Sequence, residues 1–206
     1  MQKLTDQSEL NNAESYDQIY SDRLEKGLDS QDLRRWKKLL KHYRGGRLID
    51  MGCLDSLIPE MAYQKSPKAE IWGIDLSSAA IVDMQCRFPY LYFSVADVYS
   101  TKFPSNYFEY VVAGELIEHL ERPTDFIFEA MRILRPGGIL ALSTPKEESK
   151  EPGAVDGHRH LWSFTEKDIE ELLSVYGSVR METLGSEYFP KYKYHWPSLL
   201  AFVKKK

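Results

Sequence analysis

Five short apolar runs, at residues 47–51, 70–75, 91–95, 108–114 and 138–144, punctuate the middle of the chain. They are apolar almost throughout rather than alternating, which is how strands read when both faces of their sheet are covered. The stretches between them, about 55–65, 77–87 and 123–134, read as helices. Strands separated by helices predict a parallel sheet in an α/β fold. Right-handed crossovers then bring the strand C-termini to one edge, where such sheets bind ligands.

The flanks follow other rules. Residues 1–12 are polar and read as frayed. A helix is expected over 14–26 and another over 29–42, where Leu33, Trp36, Leu39 and Leu40 share one face while Arg34, Lys37 and Lys38 lie elsewhere. Arg44-Gly-Gly-Arg47 stops the second, glycine being suited to a left-handed C-terminal turn. After Pro145 the pattern changes to a charged, Gly/Pro-containing loop over 146–160, of a length that is usually functional or disordered. Thr165 with Asp168 three residues on is a capping-box-like start for a helix over 165–176. Runs at 178–184 and 198–204 close the chain as an expected antiparallel pair at the sheet's end, and Lys204 to Lys206 read as a solvated tail.

Composition narrows the class. A chain of 206 residues predicts one domain, and 43% hydrophobic with 28% charged residues is globular usage. A net charge of -4 gives no electrostatic case for a nucleic-acid partner. No apolar stretch approaches the roughly 20 residues of a membrane span, and the N-terminus lacks the apolar core of a signal peptide. Cys53 and Cys86 are too few for a disulfide framework and have no metal-ligand spacing. The expectation is a reduced, cytoplasmic protein, monomer or homodimer, whose partner is a small molecule.

Asp50, Gly52, Asp75, Asp97 and Glu115 each fall at or just beyond the C-terminal end of an expected strand. A parallel sheet places those ends side by side, so the acids converge on one crevice. Carboxylates there suit a ligand carrying ribose hydroxyls, an amino group and a positive charge. Asp75 would accept two hydrogen bonds from a ribose diol, Asp97 would face an exocyclic adenine amine, and Gly52 would let the backbone approach the ligand closely. A single acid after a strand is more often a helix cap; the set, in order, is what predicts a site.

Leu48-Ile-Asp-Met-Gly-Cys53, Trp72-Gly-Ile-Asp-Leu-Ser77, Ala96-Asp-Val98, Gly114-Glu-Leu-Ile-Glu-His-Leu120 and Leu134-Arg-Pro-Gly-Gly-Ile139 together resemble the class I S-adenosylmethionine-dependent methyltransferases, of the type 11/12 group that acts mainly on small molecules, lipids and sugars. The resemblance covers roughly residues 45–145. It implies a three-layer Rossmann-like fold, with a seven-stranded, mostly parallel sheet in the order 3-2-1-4-5-7-6 and only strand 7 antiparallel. It divides the single domain, 1–206, into an N-terminal helical lid (1–44), a cofactor-binding core (45–145) and a substrate-side loop with closing strands (146–206). Carried over by position, Asp50, Met51, Gly52 and Cys53 would bound the methionine end of S-adenosylmethionine. Asp75 and Leu76 would take the ribose, Asp97 and Val98 the adenine, and Gly114 with Glu115 the floor beneath the sulfonium. Tyr16-Asp-Gln-Ile-Tyr20 looks like the lid helix, with Tyr20 closing over the cofactor.

The chain departs from the family at one place. The family usually shows Gly-Cys-Gly-x-Gly after the acid, whereas here the run is Gly52-Cys-Leu-Asp-Ser56. Leucine disfavours positive φ, at a cost of about 1–3 kcal/mol. Either the turn has a different shape or cofactor binding is weakened, and the second option opens an alternative: a non-catalytic, methyltransferase-like binding module. A nicotinamide-dependent oxidoreductase is disfavoured because no Gly-x-Gly-x-x-Gly follows the first strand.

Methyl transfer from a sulfonium is an in-line displacement that needs a base only if the acceptor must lose a proton. His119 is one candidate, with helix capping or cleft lining as its structural alternative. His158 and His160, in Asp156-Gly-His-Arg-His-Leu-Trp-Ser163, follow strand 5 in the long loop, where acceptor-site residues of this fold commonly sit. Proton transfer, substrate orientation and loop anchoring are their competing roles; two histidines could pair with a nearby acid around a metal, but no metal is expected. Phe189, Tyr192, Tyr194, His195 and Trp196, interleaved with Lys191 and Lys193, read as edge packing or one wall of an acceptor pocket. The preferred reading is O-methylation of a hydroxyl on a sugar, glycolipid or metabolite.

Overall fold

The computed structural model describes residues 1–3, 11–26, 30–146, 160–185 and 197–206. Seven strands form one sheet: β1 (Leu48–Met51), β2 (Ile71–Asp75), β3 (Tyr92–Val95), β4 (Phe108–Gly114), β5 (Leu134–Pro145), β6 (Gly177–Leu184) and β7 (Ser198–Lys205). Their spatial order is β3-β2-β1-β4-β5-β7-β6. Strands β1 to β5 pair in parallel, and β7 runs antiparallel to both β5 and β6. The sheet order and the single reversed strand are those expected.

Among the described residues six α-helices accompany the sheet: α1 (Ala13–Lys26), α2 (Ser30–Leu39), α3 (Ile58–Lys65), α4 (Ser78–Arg87), α5 (Pro123–Ile133) and α6 (Glu166–Ser174). Successive strand residues point to opposite faces, so each strand feeds two cores. Ile49, Val111, Ala113, Leu140 and Leu142 pack with Phe126, Ile127, Ile169 and Leu173 of α5 and α6. Leu48, Tyr110, Val112 and Ala141 pack on the other face with Trp36, Leu39, Ile58, Ala62, Ile81 and Met84 of α2, α3 and α4. Two covered faces are why the strands read as unbroken apolar runs. No helix among the described residues is long and apolar enough to cross a membrane.

Differences from the expected boundaries have local causes. Strand β5 begins at Leu134 rather than 138, because Leu134 already pairs with Phe108 before a register shift at Phe108/Tyr110. A Cβ on Gly138 would lie 2.7 Å from Leu134 Cδ1 and 2.9 Å from the Arg135 carbonyl, so this tight entry requires glycine. Helix α3 starts at Ile58 rather than 55: Asp55 and Ser56 are buried in the preceding turn, and the Ser56 hydroxyl accepts the Ile58 N–H at 3.0 Å. The chain start is not wholly frayed, since Gln2 and Lys3 pair with Ser163 and Trp162. The Thr165–Asp168 capping box forms in both directions.

Candidate functional site

The strand register brings the sequence-predicted acids together. Asp50 is opposite Gly73 of β2 and Val112 of β4, Asp75 is opposite Val95, and Gly114 is opposite Ser143. The C-terminal ends of β1 to β5 therefore form one continuous edge.

At the end of β1 the Gly52 and Cys53 N–H groups both donate to the Ile74 carbonyl, at 2.8 and 2.9 Å. Gly52 has φ 72° and Leu54 has φ 39°. Leu54 thus takes up the left-handed backbone that a glycine would ordinarily supply, and stores strain of about 1–3 kcal/mol there. Its N–H donates to Asp75 Oδ2 at 2.9 Å, while Ser77 N–H donates to Asp75 Oδ1 at 2.9 Å. The Asp75 carboxylate, only 6% exposed, ties the β1–α3 turn to the β2–α4 turn and secures the strained residue. Burial, the largest influence, pushes its pKa up, opposed by these backbone bonds. With Leu76 as a further backbone donor, the carboxylate still has acceptor capacity for a ligand.

Packing accounts for the side chains of three residues at this turn. The bare Gly52 makes room for protein: a Cβ there would stand 2.8 Å from Leu116 Cδ1. Met51 is fully buried in the α5/α6-side core, leaving only its backbone beside the crevice. Cys53 is buried with the opposite core, and burial pushes its thiol well above the usual range, which makes it a packing residue.

Asp50 is 1% exposed, and its Oδ2 has no hydrogen-bond partner. Burial lifts its pKa to about 8, with a smaller rise from the Asp75 charge, against a lowering hydrogen bond from Ser56. Next along the edge, Ala96 N–H donates to the Asp75 carbonyl at 3.0 Å, which seats the Asp97 segment beside Asp75. Asp97 itself is exposed, and one oxygen accepts the Tyr99 N–H at 2.8 Å. Val98 points into the core, where it is 5% exposed; Leu76 is half-buried.

Helix α1 lies against α4. Asp17 accepts the Ser77 hydroxyl at 2.6 Å, the Ala79 N–H at 3.1 Å and the Ser78 hydroxyl at 3.3 Å, so it caps α4 from another helix. The Ser77 bond holds the Asp17 carboxyl below its ordinary pKa. Tyr20 donates its hydroxyl to Asp83 of α4 at 2.5 Å and is 3% exposed. Tyr20 is therefore a seam residue that joins α1 to α4.

After β4, Glu115 takes φ 51°, and its N–H donates to Ser143 O at 3.0 Å. Arg35 of α2 reaches this point: Nε lies 3.7 Å from Glu115 Oε1, and Nη2 bonds Asp32. The Glu115, Asp32 and Glu118 charges raise its pKa against the desolvation that would lower it. Sequence reasoning passed over Arg35; its position three residues after Asp32, one residue before the core-facing Trp36, is the signal that was available.

His119 and His160, 41 positions apart, meet beside Glu118. Their ring centroids are 4.6 Å apart in an edge-on arrangement, and His119 Nε2 lies 3.9 Å from Glu118 Oε1. Bonds to backbone carbonyls fix the meeting: Leu161 N–H donates to Glu118 O at 2.7 Å, the Trp162 indole Nε1–H to Leu120 O at 2.8 Å, and the Asn11 side-chain Nδ2 to His119 O at 2.9 Å. Glu118 was part of the Gly114–Leu120 motif but received no role from sequence. His158, with Phe189, Tyr192, Tyr194, His195 and Trp196, lies outside the described residues.

Carboxylates thus outnumber cations along the edge, and Asp50 Oδ2 is a buried oxygen without a hydrogen-bond partner. That is a setting for a ligand with hydroxyls and positive charge. Comparison with known proteins points the same way. Residues 49–142 match the family model described as "Methyltransferase domain". A probable S-adenosylmethionine-dependent methyltransferase of Mycolicibacterium smegmatis is 24% identical over 152 residues, covering 73% of this chain and 58% of that protein. The ubiquinone biosynthesis O-methyltransferase of Alkalilimnicola ehrlichii is 28% identical over 113 residues, covering 52% of this chain and 44% of the relative. The chain spans about half the length of these two relatives. In fold, a putative methyltransferase from Haloferax volcanii, solved in complex with the Trm112 activator, superposes with a TM-score of 0.77 at 16% identity, over 93% of this chain and 98% of that one. Over residues 49–142 the chain carries the sequence pattern of a methyltransferase domain, and beyond them it is similar in sequence and fold to S-adenosylmethionine-dependent methyltransferases.

Proposed function

We propose that this chain binds S-adenosylmethionine along the acid-lined edge and transfers its methyl group to a hydroxyl of a small molecule. The observation that carries the cofactor reading is Asp50, a buried carboxyl whose Oδ2 lacks a partner, placed where the family resemblance puts the methionine end. Asp75, with its spare acceptor capacity, takes the ribose with Leu76 alongside, and Asp97 takes the adenine amine. Gly114 and Glu115 form the floor under the sulfonium. When bound, the cofactor supplies an electrophilic methyl on a positively charged sulfur. The chain's own work is to hold donor and acceptor in line and to exclude water, which can supply several kcal/mol of the barrier lowering. Helix α1, docked through Asp17 and Tyr20, closes the ribose side.

The acceptor side is the Glu118–His119–His160 group. Two imidazoles beside a buried carboxylate suit a hydroxyl acceptor, which must be oriented and must lose a proton. The ubiquinone-pathway relative, named as an O-methyltransferase, supports the oxygen assignment. The acceptor is a metabolite, sugar or glycolipid hydroxyl. Incubation with methyl-labelled S-adenosylmethionine and a panel of phenolic, sugar and carboxylic acceptors tests this reading. Label should enter base-stable ether products from hydroxyl acceptors; incorporation only into base-labile esters or amines would contradict it.

One observation favours a second reading, a non-catalytic binding module: Leu54 stands in the left-handed position of the turn. Under that reading S-adenosylhomocysteine neither binds nor raises the unfolding temperature.

A further inference from the structure

We infer that Glu118, His119 and His160 form a binding site for a divalent transition-metal cation of the zinc or iron(II) class, with open positions for oxygens of the acceptor. This rests on the hydroxyl-acceptor reading only for its use; the site stands on the geometry of the three side chains. One ligand atom from each, two imidazole nitrogens and a carboxylate oxygen, lie within 4.8 Å of one another. The Glu118 to His119 separation is 3.9 Å. Ligands on a tetrahedral cation at bond lengths of about 2.0–2.2 Å stand about 3.3–3.6 Å apart. Side-chain movements that shorten these separations by about 0.3 to 1.5 Å close the triad.

Two imidazoles and one carboxylate leave the remaining coordination positions free, as in open metal sites that bind substrate oxygen. Imidazole nitrogen selects this metal class over magnesium, which prefers all-oxygen shells. The three residues are held from behind. The Leu161 N–H bond to Glu118 O, the Trp162 indole bond to Leu120 O and the Asn11 bond to His119 O set the backbone on both sides of the cluster. Outer supports of this kind orient metal ligands. Electrostatics allow a cation. Arg35 is the guanidinium whose charge acts on Glu118, but it is faced by Asp32, Glu115 and Glu118 together, three carboxylates against one positive group. A cation there acidifies the hydroxyl it holds, so its proton leaves to solvent water without a histidine serving as base.

The test uses the full chain after chelator treatment and dialysis. Isothermal titration with Zn²⁺ should show one equivalent bound per chain, with Mg²⁺ at least tenfold weaker. His119→Ala and His160→Gln should each weaken Zn²⁺ at least tenfold. Electron-spin-echo modulation of the Cu²⁺-loaded wild-type chain should report two coordinated imidazoles; this readout does not depend on whether a variant folds. S-adenosylhomocysteine titration of the same samples should be unchanged by either substitution, which separates this site from the cofactor crevice. Absence of wild-type Zn²⁺ binding, unchanged affinity in both variants, or a Cu²⁺ spectrum without histidine nitrogen overturns the metal site. Loss of S-adenosylhomocysteine binding by the wild type overturns the cofactor reading instead and leaves the metal site standing.

Discussion

Replacing Asp75 with alanine removes the acceptor for two backbone donors, Leu54 N–H and Ser77 N–H, both held at 2.9 Å. A buried donor left without its acceptor costs about 1–3 kcal/mol. Part of that is returned, because burial already strains the ionised Asp75 by raising its pKa. The net expectation is a loss of about 2–4 kcal/mol in the ligand-free protein. Urea unfolding reads it as a lower midpoint with an unchanged slope. The ribose adds a second loss, visible only with ligand. Wild-type protein at a hundred times the dissociation constant of S-adenosylhomocysteine gains about 2.7 kcal/mol, whereas the variant at the same ligand concentration gains at least 1.5 kcal/mol less, roughly the worth of one charge-assisted bond. Asp75→Asn, which keeps one acceptor oxygen, falls between the two in both readings. An unchanged midpoint without ligand would refute the linkage of the two turns. A ligand-free loss with an undiminished ligand gain would refute the ribose assignment while leaving the linkage intact.

Other consequences follow from neighbouring residues. Leu54→Gly relieves the positive-φ strain but gives the unfolded chain more freedom, so the midpoint should rise by the equivalent of about 0.5–2 kcal/mol in urea unfolding; a fall of more than 1 kcal/mol would show that the Leu54 side chain contributes more than its backbone costs. Asp50 has a folded pKa of about 8 against an ordinary 3.8. Between these values the native state holds a proton that the unfolded state has lost, so its contribution to stability is full below the lower value and is lost as pH rises towards the upper. Asp50→Asn should therefore gain stability relative to wild type from acid to mildly alkaline pH, and a flat difference in urea midpoints across that window would contradict the raised pKa. Asp17→Ala removes three capping bonds from α4; hydrogen exchange of α1 and of the first turn of α4 should quicken at least tenfold, and unchanged exchange would mean that the lid is held elsewhere.

How much of this could be read from the chain depends on the range of the interaction involved. The parallel sheet and the acids at its edge follow from the continuous apolar character of strands such as Val111-Val-Ala113, because covering both faces leaves a mark on every strand residue; the strand order was implied by the family resemblance and not by the pattern. The Thr165–Asp168 cap was legible because both partners lie within one turn. The shape around Leu54 was not, since a non-glycine residue at φ 39° is held there by Asp75, 21 positions away. The packing demand at Gly52 was hidden for a related reason: its lack of a side chain makes room for Leu116, a contact without sequence periodicity. The meeting of His119 with His160 depends on bonds from distant Leu161, Trp162 and Asn11 to the Glu118–Leu120 backbone, and Arg35 reaches Glu115 only because α2 packs against β4. The Tyr20 bond to Asp83 was equally hidden, since its partner lies 63 positions away on α4.

The central claim is that the acid-lined edge binds S-adenosylmethionine through a buried, protonated Asp50. Isothermal titration of S-adenosylhomocysteine near neutral pH, repeated in buffers of different ionisation enthalpy, tests it most directly. The account predicts one equivalent bound per chain, with release of a proton as the ligand's ammonium meets Asp50 Oδ2, and loss of that release in Asp50→Asn. Absence of binding heat, or binding whose proton count is the same in wild type and Asp50→Asn, would contradict it.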